Sequence, residues 1–170
     1  KKTRLAERTF HVNVPAGPGY DVVHRPGLLP DYGLLCRDII PDVESKLIVL
    51  TDDRVDRLYG DQLRESFQRA NLSPEFICIA PGEPSKSLRT FEELLEDLAA
   101  RRMDRRGLLV NFGGGVICDL GGFVASSYMR GIAYANFSTS LIGQLDASIG
   151  GKVAVNTTRA PARCDSRSAS

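Results

Sequence analysis

The sequence predicts an α/β fold, a doubly wound and mainly parallel sheet with helices on both faces. Two observations carry this. Short continuous apolar runs at 47–50, 76–80 and 108–112 suit strands buried on both faces. Helical patterns alternate with those runs across short links, the order that builds βαβ units. At 170 residues the chain fits one domain or a little more. Folding at that size buries roughly 70% of the unfolded surface, so no disulfide or metal staple is required.

Residues 9–14 alternate with period 2 and read as a strand, and 20–24 read as another. Pro15, Gly17, Pro18 and Gly19 mark a turn between them. Residues 33–40 read as a short helix ended by Pro41. The strand at 46–50 runs into Thr51-Asp52-Asp53 and a helix over 55–70. After the strand at 76–80 come the loop Pro81-Gly82-Glu83-Pro84-Ser85-Lys86 and the clearest helix, 87–103. In it Phe91, Leu94, Leu95 and Leu98 form one apolar stripe. Glu92, Glu93 and Glu96 lie toward its start and Arg101 and Arg102 at its end, complementing the helix dipole. The strand at 107–112 leads into Gly113-Gly114-Gly115 and a helix through about Tyr128. A strand at 132–137 and a short helix at 141–148 complete the series. From Thr157 onward large apolar residues almost vanish. The expected organisation is therefore a domain over 1–156 and a disordered or aberrant tail over 157–170.

Composition excludes several classes. The 22 basic and 21 acidic residues leave a formal charge of +1, against a dedicated nucleic-acid binder. No apolar run approaches a membrane span, and the basic N-terminus lacks the apolar core of a signal peptide. Cys36, Cys78, Cys118 and Cys164 form no CxxC pair, so free buried thiols in a reducing cytoplasm are expected. With only His11 and His24, both near the start, no catalytic metal site is expected from this chain.

The strongest local motif is Gly113-Gly114-Gly115-Val116-Ile117-Cys118-Asp119, between a buried strand and a helix. Glycines let backbone approach a ligand closely, and the helix start offers free N–H groups to a phosphate. A simple tight turn is the alternative. Cys118 breaks the GxGxxG pattern of a plain dinucleotide fold. Asp52 or Asp53 suits either a ribose hydroxyl or a helix cap. The loop carrying Glu83 and Lys86 needs no function on local grounds. The small residues of Gly121-Gly122-Phe123-Val124-Ala125 allow close packing against a neighbouring backbone or a ligand. Arg130 suits a helix C-terminus or a phosphate. Asp146 and Lys152, in a small and apolar stretch, suit a structural ion pair or a functional one.

In order, these segments resemble 3-dehydroquinate synthase, within the sugar-phosphate cyclase superfamily. The resemblance covers 8–156 and is most specific from Gly113 to Asn156, through Tyr128-Met129-Arg130-Gly131, Ser138-Thr139-Ser140-Leu141 and Asp146-Ala147-Ser148-Ile149-Gly150-Gly151-Lys152-Val153-Ala154-Val155-Asn156. It implies the Rossmann-like N-terminal domain of that fold. It further implies contacts to NAD by Asp52, Glu83, Lys86, Gly114, Gly115, Val116, Asp119, Thr139 and Ser140. Lys152, Asp146 and Arg130 would be the catalytic set. Asp146 and Lys152 would meet a seven-carbon sugar-acid phosphate, and Arg130 the substrate phosphate of the neighbouring subunit in a homodimer. The implied reaction oxidises a carbinol, eliminates phosphate, returns the hydride and closes a carbocycle in the cytoplasm, with a divalent metal, zinc or cobalt, as Lewis acid. The spelling Gly150-Gly151-Lys152 favours the dehydroquinate synthases over other cyclases. Cys118, Ser138 and Ser140 depart mildly from the family pattern. After Asn156 a Gly-Lys-Asn segment and a helical domain carrying the metal ligands do not follow. The chain also starts at Lys, so a truncated fragment without turnover is expected. The NAD-binding half of a metal-dependent polyol or alcohol dehydrogenase and a non-catalytic nucleotide-binding module are the competing readings. The stretch 146–156 fits the synthase better than the dehydrogenase.

Overall fold

A computed structural model describes residues 8–14, 19–42, 44–147 and 153–157. The expected Pro-Gly turn at 15–18 and the tail beyond 157 lie outside them. The described residues begin with an antiparallel pair of β1 (Arg8–Val12) and β2 (Tyr20–His24), in register from Arg8 opposite His24 to Val12 opposite Tyr20. A 3₁₀ turn (Leu29–Asp31) and α1 (Tyr32–Ile39) follow. Then come β3 (Leu47–Asp52), α2 (Asp53–Arg69), β4 (Glu75–Ile79), α3 (Leu88–Ala100), β5 (Leu108–Gly113), α4 (Gly115–Ser127) and β6 (Ala133–Ser138).

The last four strands form one parallel sheet in the order β4-β3-β5-β6. The predicted fold class is thus observed, with the three apolar runs as neighbouring parallel strands. Strand periodicity explains the burial. Ile48, Leu50 and Leu109 point to the face covered by α3 and α4, where Leu94, Leu98, Ile117, Leu120 and Val124 meet them. Leu47, Val49, Leu108, Val110 and Phe112 point to the other face, against Cys36, Leu63 and Phe67 of α1 and α2. β3 and β5 are buried at every position. β4 is not: it is an edge strand and its Cys78 is exposed, which corrects the expectation of a buried thiol there. Cys36 and Cys118 are buried.

Element ends differ from the sequence reading for identifiable reasons. α2 starts two residues early because Asp52 caps it, Oδ1 accepting from the Arg54 and Val55 N–H groups at 2.9 Å. α2 and α3 both stop in the same motif. Asn71 and Arg102 adopt left-handed φ of 56° and 58°, and Leu72 and Met103 donate back to the Phe67 and Leu98 carbonyls. Met103 therefore lies past the helix end, packed back on Leu98. β6 starts at Ala133 because the Ile132 N–H is taken by the Ala125 carbonyl of α4. The short helix expected over 141–148 is helical from 141 to 147, with a π turn over Gly143–Ala147, and residue 148 lies outside the described residues. Ser140 sets up the turn, its Oγ accepting from the Gly143 N–H and its carbonyl from the Gln144 N–H.

Candidate functional site

β3 leads by α2 to β4 on one side, and β4 returns by α3 to β5 on the other, so the winding direction reverses between β3 and β5. Ligands of open parallel sheets bind outside the strand carboxyl ends at such a switch point. The residues at those ends here are Asp52 on β3, Gly113 on β5 and Ser138 on β6.

The three glycines play different parts. A Cβ on Gly113 would stand 2.6 Å from Ile117, so this glycine is required by packing. On Gly114 it would meet only the Ser140 side chain, its Oγ at 3.4 Å, and on Gly115 it would meet nothing within 4 Å. Gly114 is the N-cap of α4 and offers no side chain to it; the Cys118 N–H is the first to bond back, to the Gly114 carbonyl. The N–H groups of Gly115 and Val116 thus start a helix with open space beside them. The Thr139 N–H donates to the Gly113 carbonyl at 2.9 Å, which holds the loop after β6 against the glycine loop.

Lys86 and Asp119 form an ion pair, the lysine side chain 7% and the aspartate 20% exposed. The family resemblance implies that each contacts a cofactor; the structure turns them toward one another. Glu83 opens a 3₁₀ turn (Glu83–Ser85) after Gly82, whose φ of 102° suits glycine alone. Asp52 takes both capping bonds on one oxygen, Oδ1. The predicted cofactor residues Asp52, Glu83, Lys86, Gly114, Gly115, Val116, Thr139 and Ser140 therefore sit on loops or element ends along one rim, and Asp119 lies one turn into α4 and is tied to that rim by Lys86.

The predicted catalytic residues are not gathered in the same way. Asp146 is exposed on the π turn beside that rim. Lys152 lies outside the described residues. Arg130 is at the far end of α4, about 20 Å of helix away from the glycine loop. There Met129 and Arg130 have φ of 51° and 69°, an uncommon conformation for residues with a side chain. Arg105 holds that turn by donating to the Met129 carbonyl at 3.0 Å.

The α4 glycines are explained by protein neighbours. A Cβ on Gly121 would stand 1.9 Å from Asn111 Oδ1, and one on Gly122 2.4 Å from Val153. Asn111 is fully buried, and its Nδ2 donates to Asn136 Oδ1 at 2.8 Å. Asn136 Nδ2 donates in turn to the Ala147 carbonyl, so two amides reach from the core to the turn bearing Asp146. Sequence reading passed over this pair because asparagines in strands carry no spacing signal. A cleft of about 1340 Å³ opens between β2 and β6, its lining including Tyr20, His24, Tyr134, Asn136, Thr139 and Gln144. No group of three His, Cys, Asp or Glu among the described residues could hold a metal ion. No helix among them is long and apolar enough to cross a membrane.

The family model of the 3-dehydroquinate synthase N-terminal domain matches residues 76–162. A 3-dehydroquinate synthase of Enterococcus faecalis is 41% identical over 141 residues, covering 83% of this chain and 39% of that protein. A 2-epi-valiolone synthase of Stigmatella aurantiaca is 39% identical over 148 residues, covering 86% of this chain and 36% of that protein. The solved structure of ValA, a 2-epi-5-epi-valiolone synthase from Streptomyces hygroscopicus with NAD+ and Zn2+ bound, superposes with a TM-score of 0.74. It is 31% identical and covers 87% of this chain and 40% of that one. The chain thus spans about two fifths of the length of the relatives it matches. With that family match over half of its length, and a glycine loop at the switch point of a parallel sheet, the chain belongs to the 3-dehydroquinate synthase family of sugar-phosphate cyclases.

Proposed function

We propose that this chain forms the NAD-binding part of a 3-dehydroquinate synthase, which converts a seven-carbon sugar-acid phosphate to a carbocycle and phosphate. The observation that carries the reading is the open space at Gly115, at the start of α4 and beside the carboxyl ends of β3 and β5. Open space beside the free N–H groups of a helix start suits a pyrophosphate. NAD supplies a reversible hydride acceptor when bound. Gly114, Gly115 and Val116 would hold its phosphates by their N–H groups. Asp52 caps α2 with Oδ1 and keeps its second oxygen for a ribose hydroxyl. Asp119, oriented by Lys86, and the loop of Thr139 and Ser140 would flank the cofactor from either side of the glycines.

Asp146 and Lys152 would bind and orient the substrate next to that cofactor. Arg130, exposed at the opposite rim, would reach the substrate phosphate of a second copy in a homodimer. The described residues present no donor set for a divalent metal. Gly150-Gly151-Lys152 supports dehydroquinate synthase over the valiolone synthases that also match.

The test combines binding and turnover. The 170-residue chain is expected to bind NAD+. It is expected to turn over 3-deoxy-arabino-heptulosonate 7-phosphate when mixed with the separately made remainder of a synthase, and not alone. Failure to bind NAD+ would reject the cofactor role; turnover by the chain alone would reject its assignment as one part of a site.

A further inference from the structure

Asn156 is joined to the loop after β4 by its backbone and by its side chain. Its N–H donates to the Lys86 carbonyl at 2.8 Å, and it pairs in parallel fashion with Ser87. Its Nδ2 donates to Glu83 Oε1 at 2.7 Å. The segment it ends is firmly seated, since Val153, Ala154 and Val155 are buried and Val155 packs in the core under α3 and α4. One residue on that anchored segment thus grips both ends of the Glu83–Lys86 turn, the carboxylate at one end and the carbonyl at the other. Apart from this grip, the Lys86–Asp119 ion pair holds the Lys86 end of the turn, and the Glu83 end has less to hold it. The whole is a single 3₁₀ turn, mostly exposed, and Ser85 adds one bond to the Ala80 carbonyl.

We infer that Asn156 is a positioning residue for the cofactor: it fixes the Glu83 carboxylate and the backbone of Lys86, and with Lys86 the Asp119 carboxylate, before the ligand arrives. The cofactor part of this rests on the reading given under Proposed function. The bond to Glu83 joins an amide to a carboxylate, the stronger class of hydrogen bond. Holding one Glu83 oxygen leaves the other directed for a ribose hydroxyl, and a preset loop spares the ligand the cost of ordering it.

The test reads hydrogen exchange at the Ser85, Lys86 and Ser87 amides in the NAD-free chain, each of which bonds within the turn. β3 amides serve as the internal reference. Asn156→Ala removes the side-chain bond and keeps the backbone one; it is expected to speed exchange of the three turn amides about tenfold with β3 unchanged. Asn156→Asp, with the same volume, is expected to do the same by setting two carboxylates together. Combining Asn156→Asp with Glu83→Gln exchanges donor and acceptor and is expected to restore protection, a rescue that mere packing would not show. Unchanged turn exchange in both single variants, or no rescue in the pair, overturns the inference. NAD+ affinity is expected to fall about fivefold in Asn156→Ala. Full affinity in a chain whose turn has loosened overturns the cofactor part. If the parent chain binds no NAD+, the functional reading fails and the exchange data alone decide the brace.

Discussion

The two rims of the parallel sheet carry charge in different ways. At the amino rim, Lys46 at the start of β3, Glu75 at the start of β4 and Arg101 after α3 form a network with Asp97. All four side chains are 30–39% exposed. At the carboxyl rim, the Lys86–Asp119 pair is withdrawn from water, beside a glycine loop with open space in front of it. Exposed pairs contribute little and are screened, whereas a withdrawn pair is costly unless both partners are kept. The amino rim is thus ordinary surface electrostatics, and at the carboxyl rim a desolvated pair stands near the glycine loop. Arg130 belongs to the first rim by position, away from the glycine loop of its own chain.

That contrast predicts a graded series. Gly121→Val sits where α4 closes over β5, and its Cβ would overlap the Asn111 amide. It is expected to cost about 3 kcal/mol, read from the urea midpoint. Asp119→Ala leaves the Lys86 ammonium withdrawn without its partner and is expected to cost about 2 kcal/mol, with NAD+ binding lost. A variant as stable as the parent would mean that the carboxyl rim is no different from the amino one.

At the amino rim the effects shrink. Hydrogen bonds from Lys46 and Arg101 hold the Glu75 carboxyl below its usual range. A carboxylate with a lowered folded pKa adds stability above its unfolded pKa, about 4.3, and that stability is lost as pH falls through the lower folded value. Glu75→Gln is therefore expected to cost about 0.5 kcal/mol near pH 7, after discounting for exposure and screening. The two proteins should converge in acid; a difference that grows on acidification would contradict the assignment. Arg130→Ala, with its side chain at the far end of α4, is expected to leave the melting temperature and NAD+ affinity within error. A large loss of either would move Arg130 into the cofactor site of its own chain.

The same contrast shows what was legible in the residues. β3 and β5 could be read because strands buried on both faces are apolar at almost every position. The glycine loop could be placed because it follows one of them directly. Helix ends were misread by one to three residues where left-handed Asn71 and Arg102 close the helices, since neither residue announces that turn as glycine would. The Lys86–Asp119 pair, the Asn111–Asn136 amides and the grip of Asn156 on Glu83 join residues far apart in the chain. No local pattern encodes them; strand order and crossover direction do.

The most direct test of the account is a calorimetric titration of NAD+ into the parent chain and into Gly115→Val. A Cβ at this position meets nothing within 4 Å and its φ is not left-handed, so the fold is expected to accept the substitution. The added side chain fills the space assigned to the pyrophosphate. The account predicts saturable binding by the parent and at least a tenfold loss in the variant, at an unchanged melting temperature. Indistinguishable titrations of the two proteins would contradict it.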